Sequence, residues 1–160
     1  MHRLDIVGVR VELPSKQPIV LLREVGGERY LPIWIGAVEA TAIAFAQEGI
    51  VTARPLTHDL MRDTLRALGT ELSQVTINDL QNGVFFATLH FGNGVEVSAR
   101  PSDAIALAMR MEVPVFGSDA VLDEAGISVP DDSPADDDGE VERFREFLDQ
   151  ISPEDFNTGS

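Results

Sequence analysis

Two Asn-Gly pairs, Asn82-Gly83 and Asn93-Gly94, bracket the run Val84 to Phe91. Asn and Gly accept the left-handed backbone that a two-residue hairpin demands, so this pairing is the strongest short-range hairpin signal a sequence carries. It commits the middle of the chain to an antiparallel meander, with strands over Glu71 to Leu80, Val84 to Phe91 and Val95 to Ala99. The first quarter reads the same way. Val7, Val9, Val11 and Leu13 alternate with Gly8, Arg10 and Glu12, which predicts a strand with one apolar face. Pro14 to Pro18 reads as a turn, Ile19 to Val25 as a more apolar strand, Gly26-Gly27 as a tight turn and Arg29 to Ile35 as its partner.

Each meander hands over to helices. After Gly36 the chain turns Ala-rich through Glu48, small residues that let a helix lie close to a sheet, and stops at Gly49. A second helix is predicted from about His58 to Ala67, with Thr57 as N-cap, Met61, Leu65 and Leu68 on one buried face, and Gly69 as the stop. Behind the second meander, Asp103 to Met111 is apolar nearly all round and predicts a buried helix ended by Pro114, followed by a short helix near Asp119 to Ala125. Two units of three strands and two helices result. The expected class is α+β, two β3α2 repeats around one sheet flanked by helices over residues 1–126.

Beyond Gly126 the composition changes. Residues 131–160 carry eleven acidic and two basic side chains, so −9 of the formal −15 sits there. Residues 127–138 read as an acidic flexible linker and 153–160 as a disordered tail. Between them, over 139–152, Val141, Phe144, Phe147, Leu148 and Ile151 form an apolar stripe at helical spacing, expected to dock on the body, on another subunit or on a protein partner. The remainder is mildly acidic and holds one lysine, Lys16, so a nucleic acid would have to use a local site. With no cysteine, no long apolar run and no signal-like N-terminus, a soluble cytoplasmic protein without membrane contact is expected.

Two polar segments stand where strand or loop passes into helix: Arg54-Pro55-Leu56-Thr57-His58-Asp59 and Arg100-Pro101-Ser102-Asp103. Proline stiffens each corner and presents its arginine beside a helix N-terminus, where anions are favoured. Arg54, Arg100 and Ser102 are therefore candidate phosphate-binding residues. His58, Asp59 and Asp103 are candidate catalytic groups, and Glu39, Asp59, Asp63 and Asp103 are candidate ligands for Mg²⁺ or Mn²⁺ in phosphodiester cleavage. The same residues have a plain structural reading: Thr57 and Ser102 as N-caps, Asp59 and Asp103 as favourable first-turn charges, and the arginines as their ion-pair partners. His90 is read as a strand residue and Trp34 as core or subunit contact.

Leu31-Pro32-Ile33-Trp34-Ile35-Gly36 with Glu39-Ala40, then Arg54 to Leu60, then Arg100-Pro101-Ser102-Asp103-Ala104-Ile105-Ala106-Leu107-Ala108 together resemble the bifunctional nuclease family. The resemblance spans about residues 1–126. It implies a barrel-like sheet built from two repeats, self-association as a dimer or trimer, and a nuclease activity, attributed to plant members on DNA and RNA. It brings no assigned catalytic residues. The alternative function is a non-catalytic oligomeric regulatory module, with or without a small anionic ligand at the helix starts.

Overall fold

The computed structural model describes residues 1–12 and 16–128 of the chain, so the segment 129–160, with most of the expected linker, the amphipathic helix and the tail, lies outside the described residues. In chain order the elements are β1 His2–Glu12, β2 Gln17–Glu24, β3 Arg29–Trp34, α1 Ala37–Glu48, α2 Thr57–Ala67, β4 Leu72–Gln81, β5 Val84–Phe91, β6 Glu96–Ala99, α3 Pro101–Met111, β7 Val115–Gly117, α4 Asp119–Ala125 and β8 Ile127–Ser128.

The turn chemistry sets the pairing. Asn82 and Gly83 both adopt positive φ, at 52° and 81°, which closes β4 onto β5 at the pair Gln81 with Val84. β6 then pairs antiparallel with β5, and β1, β2 and β3 form the first meander. The two meanders meet through β7, which lies antiparallel to β1 and parallel to β4. The sheet order is β6-β5-β4-β7-β1-β2-β3-β8.

This corrects two expectations. The sheet is open: four-residue β6 and two-residue β8 form its edges, and a barrel requires a closing ladder between them. The element order is also not a strict β3α2 duplication. Pro114 ends the region of α3, and the chain runs extended as β7 into the middle of the sheet before α4 and β8. Each half has a three-strand meander, an Ala-rich helix and a second helix, but in the latter half β7 separates the two helices and β8 follows them.

β1 departs from simple alternation. Its register on β2 shifts between Ile6 and Gly8, leaving Val7 as the extra residue of a bulge. Ile6 and Val9 consequently pack on the main core while Val7 packs on the opposite face with Ile19 and Leu21. Gln47 of α1 donates to the Val7 carbonyl at 2.8 Å, which satisfies an acceptor that the bulge removes from the ladder.

α1 packs on β1 and β2, α3 on β4 and β5, and both α1 and α2 pack on α3. As the composition predicts, α3 is the buried helix: Ala104, Ile105, Ala106, Leu107 and Ala108 are all within the core. α2 is rotated from expectation. Leu65 touches the core, but Leu68 is 74% exposed and Met61 38%, while His58 is buried. Polar bonds to α3, described next, fix that rotation in place of the apolar residues.

Candidate functional site

The starts of α1, α2 and α3 come together at one corner. Each carries an acidic residue in its first turn, Glu39, Asp59 and Asp103. None has a side-chain cap of the Ser/Thr kind. The N-caps are Gly36, Leu56 and Arg100 in extended conformation, so Thr57 lies one position and Ser102 two positions inside their helices and the expected N-cap roles do not hold. At α2 the aspartate does the capping: Asp59 accepts the Leu56 N–H at 3.1 Å.

One chain of polar contacts crosses all three helices. Arg100 bonds Glu39 at 3.0 Å and Asp103 at 2.8 Å, and the second oxygen of Asp103 lies 2.9 Å from His58 Nε2. His58 is nearly buried, with its side chain 11% exposed, against 34% for Asp103 and 65% for Arg100. Nδ1 of His58 has no partner among the described residues. Burial pushes the Asp103 carboxyl upward, but the bonds from Arg100 and His58 outweigh it and hold the group below the ordinary carboxylate range. Arg100 is held more firmly protonated by its bond to Asp103.

A second set of contacts leaves the next residue of α2. Asp59 accepts from Arg110 Nε at 2.7 Å, and the other nitrogens of Arg110 donate to the carbonyls of Ala106 at 2.9 Å and Ala42 at 3.0 Å. Burial acts to raise the Asp59 carboxyl; the Arg110 bond, joined by the Leu56 amide, prevails and lowers it. Arg110 thus bolts α2 to α3 and α1 with its side chain only 6% exposed. Sequence reasoning passed over it. The available signal was its being the one basic residue in a helix that is apolar from Ala104 to Met109.

The remaining candidates are placed less centrally. Asp63 is half-exposed and takes the Nε of Arg62 at 3.0 Å. Ser102 is 6% exposed within the first turn of α3. Arg54 is exposed beside Pro55, and among the described residues nothing pairs with its guanidinium. His90 stands apart, bonded to Thr76 at 2.9 Å and facing Glu96 at 3.3 Å across the strands.

Among the ion-paired groups, Glu39, Asp59, Asp63 and Asp103 face Arg62, Arg100 and Arg110, a net formal charge of −1. The corner is therefore close to neutral in a chain whose formal charge is −15, which makes it a less repulsive landing place for a polyanion than the acidic whole. The carboxylates do not fit a resident divalent ion in this arrangement. A Mg²⁺ or Mn²⁺ site needs several free oxygens around one point. Here Asp59, Asp103 and Glu39 are already taken by guanidinium groups, and no cluster of three His, Asp or Glu suited to a metal occurs among the described residues. No helix among those residues is long and apolar enough to cross a membrane.

Comparison with known proteins follows the motifs. A protein of Mycobacterium tuberculosis described as uncharacterized is 52% identical over 161 residues, covering 98% of each chain. "Bifunctional nuclease 2" of Arabidopsis thaliana is 30% identical over 112 residues, 64% of this chain and 34% of the plant protein. The protein of the same name from Oryza sativa subsp. japonica is 28% identical over 115 residues, 68% of this chain and 35% of its own length. The chain thus spans about a third of these plant relatives. The bifunctional nuclease domain matches residues 20–130, a stretch that holds the three convergent helix starts, and on that match the chain belongs to the bifunctional nuclease domain family.

Proposed function

We propose that the corner formed by α1, α2 and α3 hydrolyses phosphodiester bonds of nucleic acid, with His58 as the proton carrier. The observation that carries this reading is the continuous chain Glu39–Arg100–Asp103–His58. Asp103 accepts from Nε2 of His58 and so fixes the ring and its tautomer, leaving Nδ1 to exchange a proton. Water attacks phosphorus, its proton passes to His58, the P–O bond to the leaving oxygen breaks, and that oxygen takes the proton back. Arg54, from its proline-stiffened position, and Arg100 hold the phosphate oxygens. Plant proteins called bifunctional nucleases share the domain, which supports the substrate class.

The test is cleavage of labelled single-stranded DNA and RNA by rigorously purified protein, with Mg²⁺, with Mn²⁺ and with chelator. His58→Gln is expected to lower the rate by about 10²–10⁴-fold, the usual contribution of a positioned acid–base group. Asp103→Asn is expected to fall with it, since the ring loses its anchor. Cleavage that depends on metal and ignores His58→Gln would hand the carboxylates the role of ligands and overturn the reading. A second reading is favoured by the double pairing of Arg100, which locks α1 to α3: a non-catalytic module. Absent cleavage in the wild type, together with lower melting temperatures in the same variants, would establish it.

A further inference from the structure

A cavity of about 360 Å³ opens beside the first turn of α2, lined by Asp59 and by neither His58 nor Asp103. It lies among α1, the loop to α2, α2 itself and the end of α3. His58 and Asp59 are consecutive, so one turn of helix contributes to both places. Phe45 and Met109, both partly buried, line the floor, and the exposed Val51 and Pro55 stand at its mouth. The hydroxyl of Thr52 bonds the carbonyl of Arg54 and holds the loop in its curve.

Its polar groups are unequal. Asp59 is spent on Arg110 and the Leu56 amide. Asp63 uses one oxygen for Arg62, is 49% exposed, and keeps acceptor capacity directed at solvent. The space therefore offers an aromatic and thioether interior, a volume within the range of small-ligand sites, and an acceptor-only carboxylate at its rim. That combination suits a base splayed out of a single strand, which buries its face against apolar and aromatic side chains and is read on its hydrogen-bonding edge. A carboxylate selects an edge made of donors. Guanine presents two neighbouring donors, N1–H and the N2 amino group, where adenine presents one amino group beside an acceptor.

Resting on the nuclease reading above, we propose that this cavity is a nucleobase subsite that prefers guanine through Asp63, seating the base while the attached phosphate lies toward Arg54, next in sequence to the lining residue Pro55. The experiment is calorimetric titration of the full chain with guanosine 5′-monophosphate, adenosine 5′-monophosphate, guanosine and inorganic phosphate, which reads binding without cleavage. The guanine nucleotide is expected to bind about tenfold more tightly than the adenine one, the lower end of what a bidentate base contact contributes. Asp63→Asn should bring the two together. Val51→Trp, at a position 92% exposed, should block both nucleosides and leave phosphate binding intact without disturbing the core. Equal affinities in the wild type, or a guanine preference that survives Asp63→Asn or Val51→Trp, overturn the proposal. The nuclease reading is judged separately by His58→Gln: a cleaving enzyme with no base preference refutes the subsite alone.

Discussion

Replacing Arg110 by Met tests the physical claim that one buried guanidinium sets the rotation of α2 and so the position of His58. Methionine keeps the length and apolar volume of the stem and removes all three donors. The largest loss is the bond to Asp59 at 2.7 Å, since a hydrogen bond to a charged group contributes about 1.5–3 kcal/mol. Breaking a fully buried pair costs about 3–5 kcal/mol, and the side chain of Asp59 is 20% exposed, which places this case at the lower end. The carbonyls of Ala42 and Ala106 lose only an extra donor. The expected destabilisation is about 3 kcal/mol by urea denaturation at 25 °C, or roughly 6–12 °C in Tm for a chain of this size. Adding Asp59→Asn removes the stranded charge, so the double variant should recover about 1 kcal/mol over Arg110→Met alone. A loss below about 1 kcal/mol, or a double variant less stable than the single one, would refute the reasoning.

Acid should act through the same groups. Asp59 and Asp103 titrate below their ordinary range in the fold, so the stability they contribute is present above the unfolded value of about 3.9 and is lost as pH falls through the lower folded values. The melting temperature should therefore drop on acidification below about pH 4, and more shallowly in Asp103→Asn than in the wild type; parallel curves would contradict it. On the outer side of α2, Leu68→Glu should change stability by no more than about 0.5 kcal/mol, as for other exposed positions. A loss above about 2 kcal/mol would mean that Leu68 is buried after all.

The elements themselves were readable because their signals are local. Asn82-Gly83, the Ala-rich run after Gly36 and the apolar stretch from Ala104 to Ala108 each specify a turn or helix by backbone preference or composition, and all three lie where expected. β7 was not, since three residues carry no period and their pairing partners are distant in the chain. The rotation of α2 was misread for a physical reason. Met61, Leu65 and Leu68 have the spacing of a buried face, yet two strong polar bonds from His58 and Asp59 decide which side turns inward. At the corner, His58, Asp59 and Asp103 were legible as polar clusters after proline, and Glu39 only as a further carboxylate at the start of the Ala-rich helix. Their division into two ion-paired sets was not, because Arg110 reaches Asp59 across 51 positions of sequence.

The placement of β7 also bears on how the molecule is made. Its pairing with β1 joins Leu4 to Val115, so more than a hundred residues leave the ribosome before the first strand finds its inner neighbour. Without β7 the two meanders share no ladder, and β1 and β4 each keep an open flank that is interior in the finished sheet. A strand of only three residues, arriving late, acts as the seam that turns two half-sheets into one, and slow emergence of that seam leaves time for a flank to pair with the wrong chain.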